Sequence, residues 1–212
     1  MMEQMLSSIR YGLMMVLHGQ DRHEELCEFC SSADDQRFRL PGQRYLEALM
    51  LMDGEPGPII NEVSAWLRGS LASLPPWWAD AYMRLLIELM LAEGMDREAA
   101  KWAAEALRRA QHLQSGPGGE VYALCQRAAA LARLGRVERA QACRERLMGQ
   151  AQKSAGQWIP VWTSYVDGLI ASHNGDADAA RRHLGKAKKM FLKMGVPRLA
   201  RLVEGDLARQ PG

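Results

Sequence analysis

Five glycines at nearly constant spacing constrain this chain more than any other feature. Gly19, Gly54, Gly94, Gly135 and Gly175 are separated by 35, 40, 41 and 40 residues. Each follows one stretch of helix-periodic apolar residues and precedes another. A period of roughly 34–47 residues is the mark of stacked helix pairs, because one pair cannot cover its own apolar face and needs neighbours on both sides. The clearest unit is 158–194. Pro160 suits the first turn of a helix, since its φ is fixed near the helical value. Asn174-Gly175-Asp176 turns the chain. The second arm then sets Ala180, Leu184, Ala187, Phe191 and Met194 at steps of four, three, four and three, a series that falls on one face only in a helix.

The other units read in the same way, as helical hairpins at 2–31, 41–72, 77–113 and 120–152, with a closing helix at 197–209. Pro58 opens the second arm of the second unit, and Leu74-Pro75-Pro76 ends it. Asp96 is expected to cap the helix it precedes. Ser115-Gly116-Pro117-Gly118-Gly119 reads as a flexible linker. Val121, Leu124, Ala128 and Leu131 form an inner stripe facing Ala140. Leu199, Leu202, Val203 and Leu207 give the last helix an apolar side suited to shielding the end of a stack. The fold expected is therefore all-α: a single domain, 1–212, built as a superhelical α–α solenoid of about five antiparallel hairpins with a C-terminal capping helix.

Composition excludes several classes. With 48% hydrophobic residues the chain can bury a core. Arg84 and Glu88 interrupt its longest apolar run, so no segment reaches the roughly 20 apolar residues of a membrane span. Met1–Arg10 lacks the form of a secretory signal. The four cysteines do not form a disulfide framework. A cytoplasmic location is expected. Charge is uneven: residues 1–72 carry a net −5, residues 73–112 a net −1 and residues 113–212 a net +8. Such a distribution suits an acidic partner at the basic end, or a homo-oligomer aligned head to tail. The ordinary reading is a set of solvated outer helix faces.

The residues at the turns resemble the tetratricopeptide repeat family. Gly168, Gly175, Ala180 and Ala187 match its small crossing residue, turn glycine and small second-helix residues. Ala128, Gly135 and Ala140 match in the fourth unit, with Leu147 replacing the last small residue. Gly94, Ala99, Ala103 and Ala106 match in the third. Gly12 and Gly19 match in the first until Glu24, and Glu47 and Ile59 depart from the pattern in the second. The pitch of about 40 exceeds the family's usual length of roughly 34 residues. In this it is similar to the helix-pair repeats in the sensor domains of maltose-regulator-like bacterial transcription activators. The resemblance implies a right-handed superhelix whose first helices line a concave groove. It implies groove positions at Arg44, Arg84, Glu88, Tyr122, Cys125, Arg133, Trp162, Tyr165 and His173. There the aromatics would anchor a peptide or helix of a partner protein, and the guanidinium groups would hold its carboxylates. The same aromatics would serve equally well as core between repeats.

Two other constellations bear on function. Cys27-Glu28-Phe29-Cys30, with His18 and His23 upstream, puts His23, Cys27 and Cys30 on one helix face, as in a zinc or thiol switch. Against that, the second Cys pair of a zinc site is missing, and free cysteine is among the most buried residue types. Arg181-Arg182-His183 with Lys186, Lys188, Lys189 and Lys193 is a basic stretch, but it lacks the aromatic interleaving and the motifs of DNA readers, so nucleic acid is not expected. No phosphate-cradling loop, paired-histidine metal motif or nucleophile elbow is present. The sequence thus points to a non-catalytic scaffold for protein–protein interaction, with no cofactor and no metal. The alternatives are a regulatory or effector-sensing module of a bacterial signalling or transcription system, a secretion-type chaperone, or a metal or thiol switch at the CxxC.

Overall fold

A computed structural model describes residues 22, 24–25, 28–29, 56–72, 74, 76–112, 117–151 and 158–209. Among the described residues the chain is helical throughout, with no strand. The elements are α1 (Pro56–Ser70), α2 (Pro76–Ala92), α3 (Asp96–His112), α4 (Pro117–Arg133), α5 (Val137–Ala151), α6 (Trp158–His173), α7 (Ala177–Lys193) and α8 (Pro197–Ala208). The expected hairpin at 2–31, beyond a few positions in 22–29, and the first arm of 41–72 lie outside the described residues. So do Gly19, Gly54, Arg44, Cys27 and Cys30.

The three later turn glycines share one construction. Gly94, Gly135 and Gly175 adopt φ of +72°, +69° and +80°. Each donates its N–H to the carbonyl three residues back, and the next residue donates to the carbonyl five back: Gly94 to Leu91 and Met95 to Met90, Gly135 to Ala132 and Arg136 to Leu131, Gly175 to Ser172 and Asp176 to Ala171. This double closure satisfies carbonyls at a helix end, and it needs a left-handed residue, which costs a side-chain-bearing residue about 1–2 kcal/mol. Gly195 repeats the closure, with φ +69° and bonds from Gly195 to Leu192 and Val196 to Phe191. The α7–α8 junction is therefore built like the turns within the hairpins.

Helix starts follow local chemistry. Asp176 caps α7, its Oδ1 accepting from the Ala179 N–H at 2.9 Å. Pro76, Pro117 and Pro197 each stand in the first turn of a helix, where the missing N–H has no partner to lose. Two expectations change as a result. Pro76 does not merely stop the preceding helix but opens α2. Pro117-Gly118-Gly119 belongs to the first turn of α4 and not to a linker. Asp96 is also not a cap; it is the first residue of α3, and its carboxylate turns to Arg133.

Within the hairpins, α2 packs on α3, α4 on α5 and α6 on α7; α4 also packs against both α2 and α6. Ala180, Leu184, Ala187 and Phe191 are buried along α7, as their spacing requires, and so are Val121, Leu124, Ala128, Leu131 and Ala140. At Gly168, α6 comes close to α7: a Cβ there would stand 2.7 Å from Leu184 Cγ and 3.0 Å from the Leu184 backbone nitrogen. α8 packs on α7 and also reaches α2. It does more than cover the last hairpin.

Candidate functional site

Helices α2, α4 and α6 carry the described residues that the sequence marks for binding. Their side chains meet in two linked clusters. The first is aromatic. Tyr122 lies 5.3 Å from Trp158 and 6.2 Å from Trp162, and Trp162 lies 5.7 Å from both Tyr165 and Phe191, with rings tilted or edge-on throughout. Edge-on geometry brings the positive rim of one ring to the negative face of another. The Arg84 guanidinium sits 3.2 Å above the Tyr122 ring and 5.9 Å from that of Trp158, a cation–π arrangement. Gln126 Nε2 donates to the Arg84 carbonyl at 3.0 Å, tying α4 to α2.

The second cluster is ionic and is closed by α8. Arg133, in the last turn of α4, donates from Nη2 to Tyr165 Oη at 2.9 Å and to Asp206 Oδ2 at 2.6 Å. Its Nη1 donates to the Leu91 carbonyl and lies 3.4 Å from Asp96 Oδ1. Tyr165 Oη in turn donates to Asp206 Oδ2 at 2.5 Å, and Arg209 Nη1 to Asp206 Oδ1 at 3.1 Å. The Arg133 and Asp206 side chains are only 5% and 4% exposed, so each charge depends on the other in place of water. In the first turn of α8, Arg198 pairs with Glu88 of α2, and Glu88 also accepts from Arg84 Nε at 3.5 Å. Glu88 is buried on α2 and thus sits between two guanidinium groups.

Burial sets the protonation states. Burial works against the Arg133 cation, yet Tyr165, Asp206 and Asp96 beside it hold its pKa above the ordinary value. Tyr165 is pushed well above the usual phenol range, first by burial; it stays a neutral hydroxyl and can donate. Burial likewise raises Tyr122. It raises the Asp96 carboxyl too, against the opposing pull of Arg133. The raised pKa values keep the Tyr122 and Tyr165 hydroxyls protonated; activating either as a nucleophile would need a lowered pKa or an adjacent base.

The candidate residues divide accordingly. Arg84, Glu88, Tyr122, Arg133, Trp162 and Tyr165 come together in these two clusters. Trp162 and Tyr165 are nevertheless fully buried, and Glu88 and the Arg133 side chain nearly so, where an open groove would expose them. His173 lies apart, exposed, with its ring over the Gly135 turn of the preceding hairpin; a Cβ at Gly135 would strike that ring. Cys125 is buried, and burial raises its thiol well above the usual range. We expect iodoacetamide at neutral pH to leave Cys125 unmodified in the folded protein and to modify it fully in urea, read by peptide-mapping mass spectrometry. Native labelling at the rate of a free thiol would mean that the site stands open.

Sequence reasoning missed Asp206 and Arg198. The signal for Asp206 was present. It follows Leu199 and Val203 by seven and three residues, which places a carboxylate on the apolar stripe of its own helix.

No family model, curated protein or solved structure matches the chain. Its function must be argued from these residues. Among the described residues no group of His, Cys, Asp and Glu is placed to hold a metal, and no helix is long and apolar enough to cross a membrane. The CxxC cysteines lie outside the described residues, although Phe29 between them packs against the core.

Proposed function

We propose that this chain is a non-catalytic interaction scaffold, a tetratricopeptide-like superhelix whose α2–α4–α6 face binds a helix or helical peptide of a partner protein. One observation supports this above the rest. A helix, α8, already lies on that face, with its Arg198 on Glu88 and its Asp206 on Arg133 and Tyr165. A surface that seats one amphipathic helix through paired charges and small apolar side chains has the chemistry to seat another. Cis occupancy favours a regulatory module over a passive scaffold, since a covered face responds to whatever uncovers it.

The test is selection of amphipathic helical peptides on the whole protein, followed by hydrogen exchange of the complex. Binders are expected to change protection in α2, α4, α6 and α8. Binders that protect only the outer helices α3, α5 and α7 would sink the reading.

A further inference from the structure

We propose that the α2–α4–α6 face selects helices that carry an arginine and, eight residues later, an aspartate or glutamate, and that α8 is the internal competitor such a helix must displace. This inference rests on the helix-binding reading above. It adds the chemistry of the partner and the means by which access is controlled.

The specificity follows from what the face presents. At one end Glu88 offers a buried carboxylate to a guanidinium. At the other, Arg133 and Tyr165 offer two donors and a positive charge to a single carboxylate, Asp206, with Tyr165 Oη and Arg133 Nη2 both on its Oδ2. Eight helical residues span about 12 Å, which sets the distance between the two recognition points. Leu199, Ala200 and Val203 are buried along α8, which packs on α7 and reaches α2. A helix with the charges exchanged would set acid on Glu88 and base on Arg133, and would be rejected.

Displacement follows from how α8 is held. Buried ion pairs return in attraction about what their desolvation costs, so they choose a partner more than they bind it. A second helix with the same two charges would satisfy Glu88 and Arg133 equally well, and what it must overcome is the tether that holds α8 close and the packing of α8 on α7. α8 is also a poor helix by itself. Gly205 lies in its interior and is exposed, and a Cβ there would meet nothing within 4 Å, so no packing demands a glycine.

The test uses the full chain and a fluorescein-labelled peptide of residues 196–209 as probe, read by anisotropy. Ala200→Pro removes the Ala200 N–H bond to Val196 and breaks α8 without touching the face. It is expected to bind the probe at least tenfold more tightly than the unaltered chain, because apparent affinity scales with the fraction of open sites. The pair Arg198→Gln and Asp206→Asn, which keeps α8 helical, is a second route to the same gain. Gly205→Ala strengthens α8 and should weaken probe binding about threefold to fivefold. A probe carrying Asp at 198 and Arg at 206 should not bind. The inference is overturned if segment 197–209 exchanges freely in Ala200→Pro, the tryptophan near-ultraviolet signal stays native, and the probe binds no better than its charge-exchanged control. In that case, binding of the selected helices by Ala200→Pro would leave the scaffold reading standing, whereas binding of no helix at all would remove both.

Discussion

Asp206→Ala is expected to lower stability by about 3–5 kcal/mol, the usual cost of removing one partner from a buried ion pair. The reason is Arg133. Its side chain is 5% exposed, and its guanidinium relies on Asp206 for its 2.6 Å ion pair. Tyr165 loses its acceptor at the same time. The loss has a ceiling, because α8 can undock and let water reach Arg133 at the cost of re-exposing Leu199, Ala200 and Val203. Urea denaturation with hydrogen exchange separates the two cases: either the whole unfolding midpoint falls, or 197–209 opens first and the hairpins unfold later. Tyr165→Phe should cost less, about 1.5–3 kcal/mol, since it removes a hydroxyl that donates to Asp206 and accepts from Arg133 but leaves the ion pair intact. Near-equal effects of the two substitutions would mean that the charge on Asp206 does not matter.

Gly168→Val is expected to cost about 3 kcal/mol, at the upper end for overpacking. Replacing glycine in a helix normally gains stability, by about 0.5–1 kcal/mol for alanine. Here the sign reverses. The first side-chain carbon would lie 2.7 Å from Leu184 Cγ and 3.0 Å from a backbone nitrogen of α7, and only the former can move. Leu184→Ala in the same chain should therefore restore part of the loss and never all of it. A Gly168→Val protein that melts at the wild-type temperature would show that α6 and α7 do not cross at this point.

Much of the architecture could be read in advance because it is written in local chemistry. The turn glycines at 94, 135 and 175 were expected from spacing alone, and their left-handed φ values have a local cause: the helix end needs its carbonyls satisfied and only glycine reaches that conformation cheaply. The stripe Ala180, Leu184, Ala187 and Phe191 is buried for an equally local reason, the helical period. Helix ends were less legible where proline was involved. Pro76 and Pro117 read as breaks, yet each opens a helix, because a proline that cannot continue one helix is well suited to begin the next.

The candidate site divides along the same line. The placing of Arg84, Glu88, Tyr122, Arg133, Trp162 and Tyr165 on successive first helices was implied by the resemblance to the tetratricopeptide repeat family, as positions open to a groove. What covers them was not. Arg198 and Glu88 are 110 residues apart, and Arg133 and Asp206 are 73 apart. No period links them, and a charge on a short final helix is normally solvated. Sequence alone settled that these residues are helical, where the chain turns and which faces are apolar, since those depend on contacts within a few residues. Only the tertiary structure decided that α8 folds across α2, α4 and α6. The buried Arg133 cation can be satisfied there by a carboxylate from far along the chain, and local spacing carries no record of that demand.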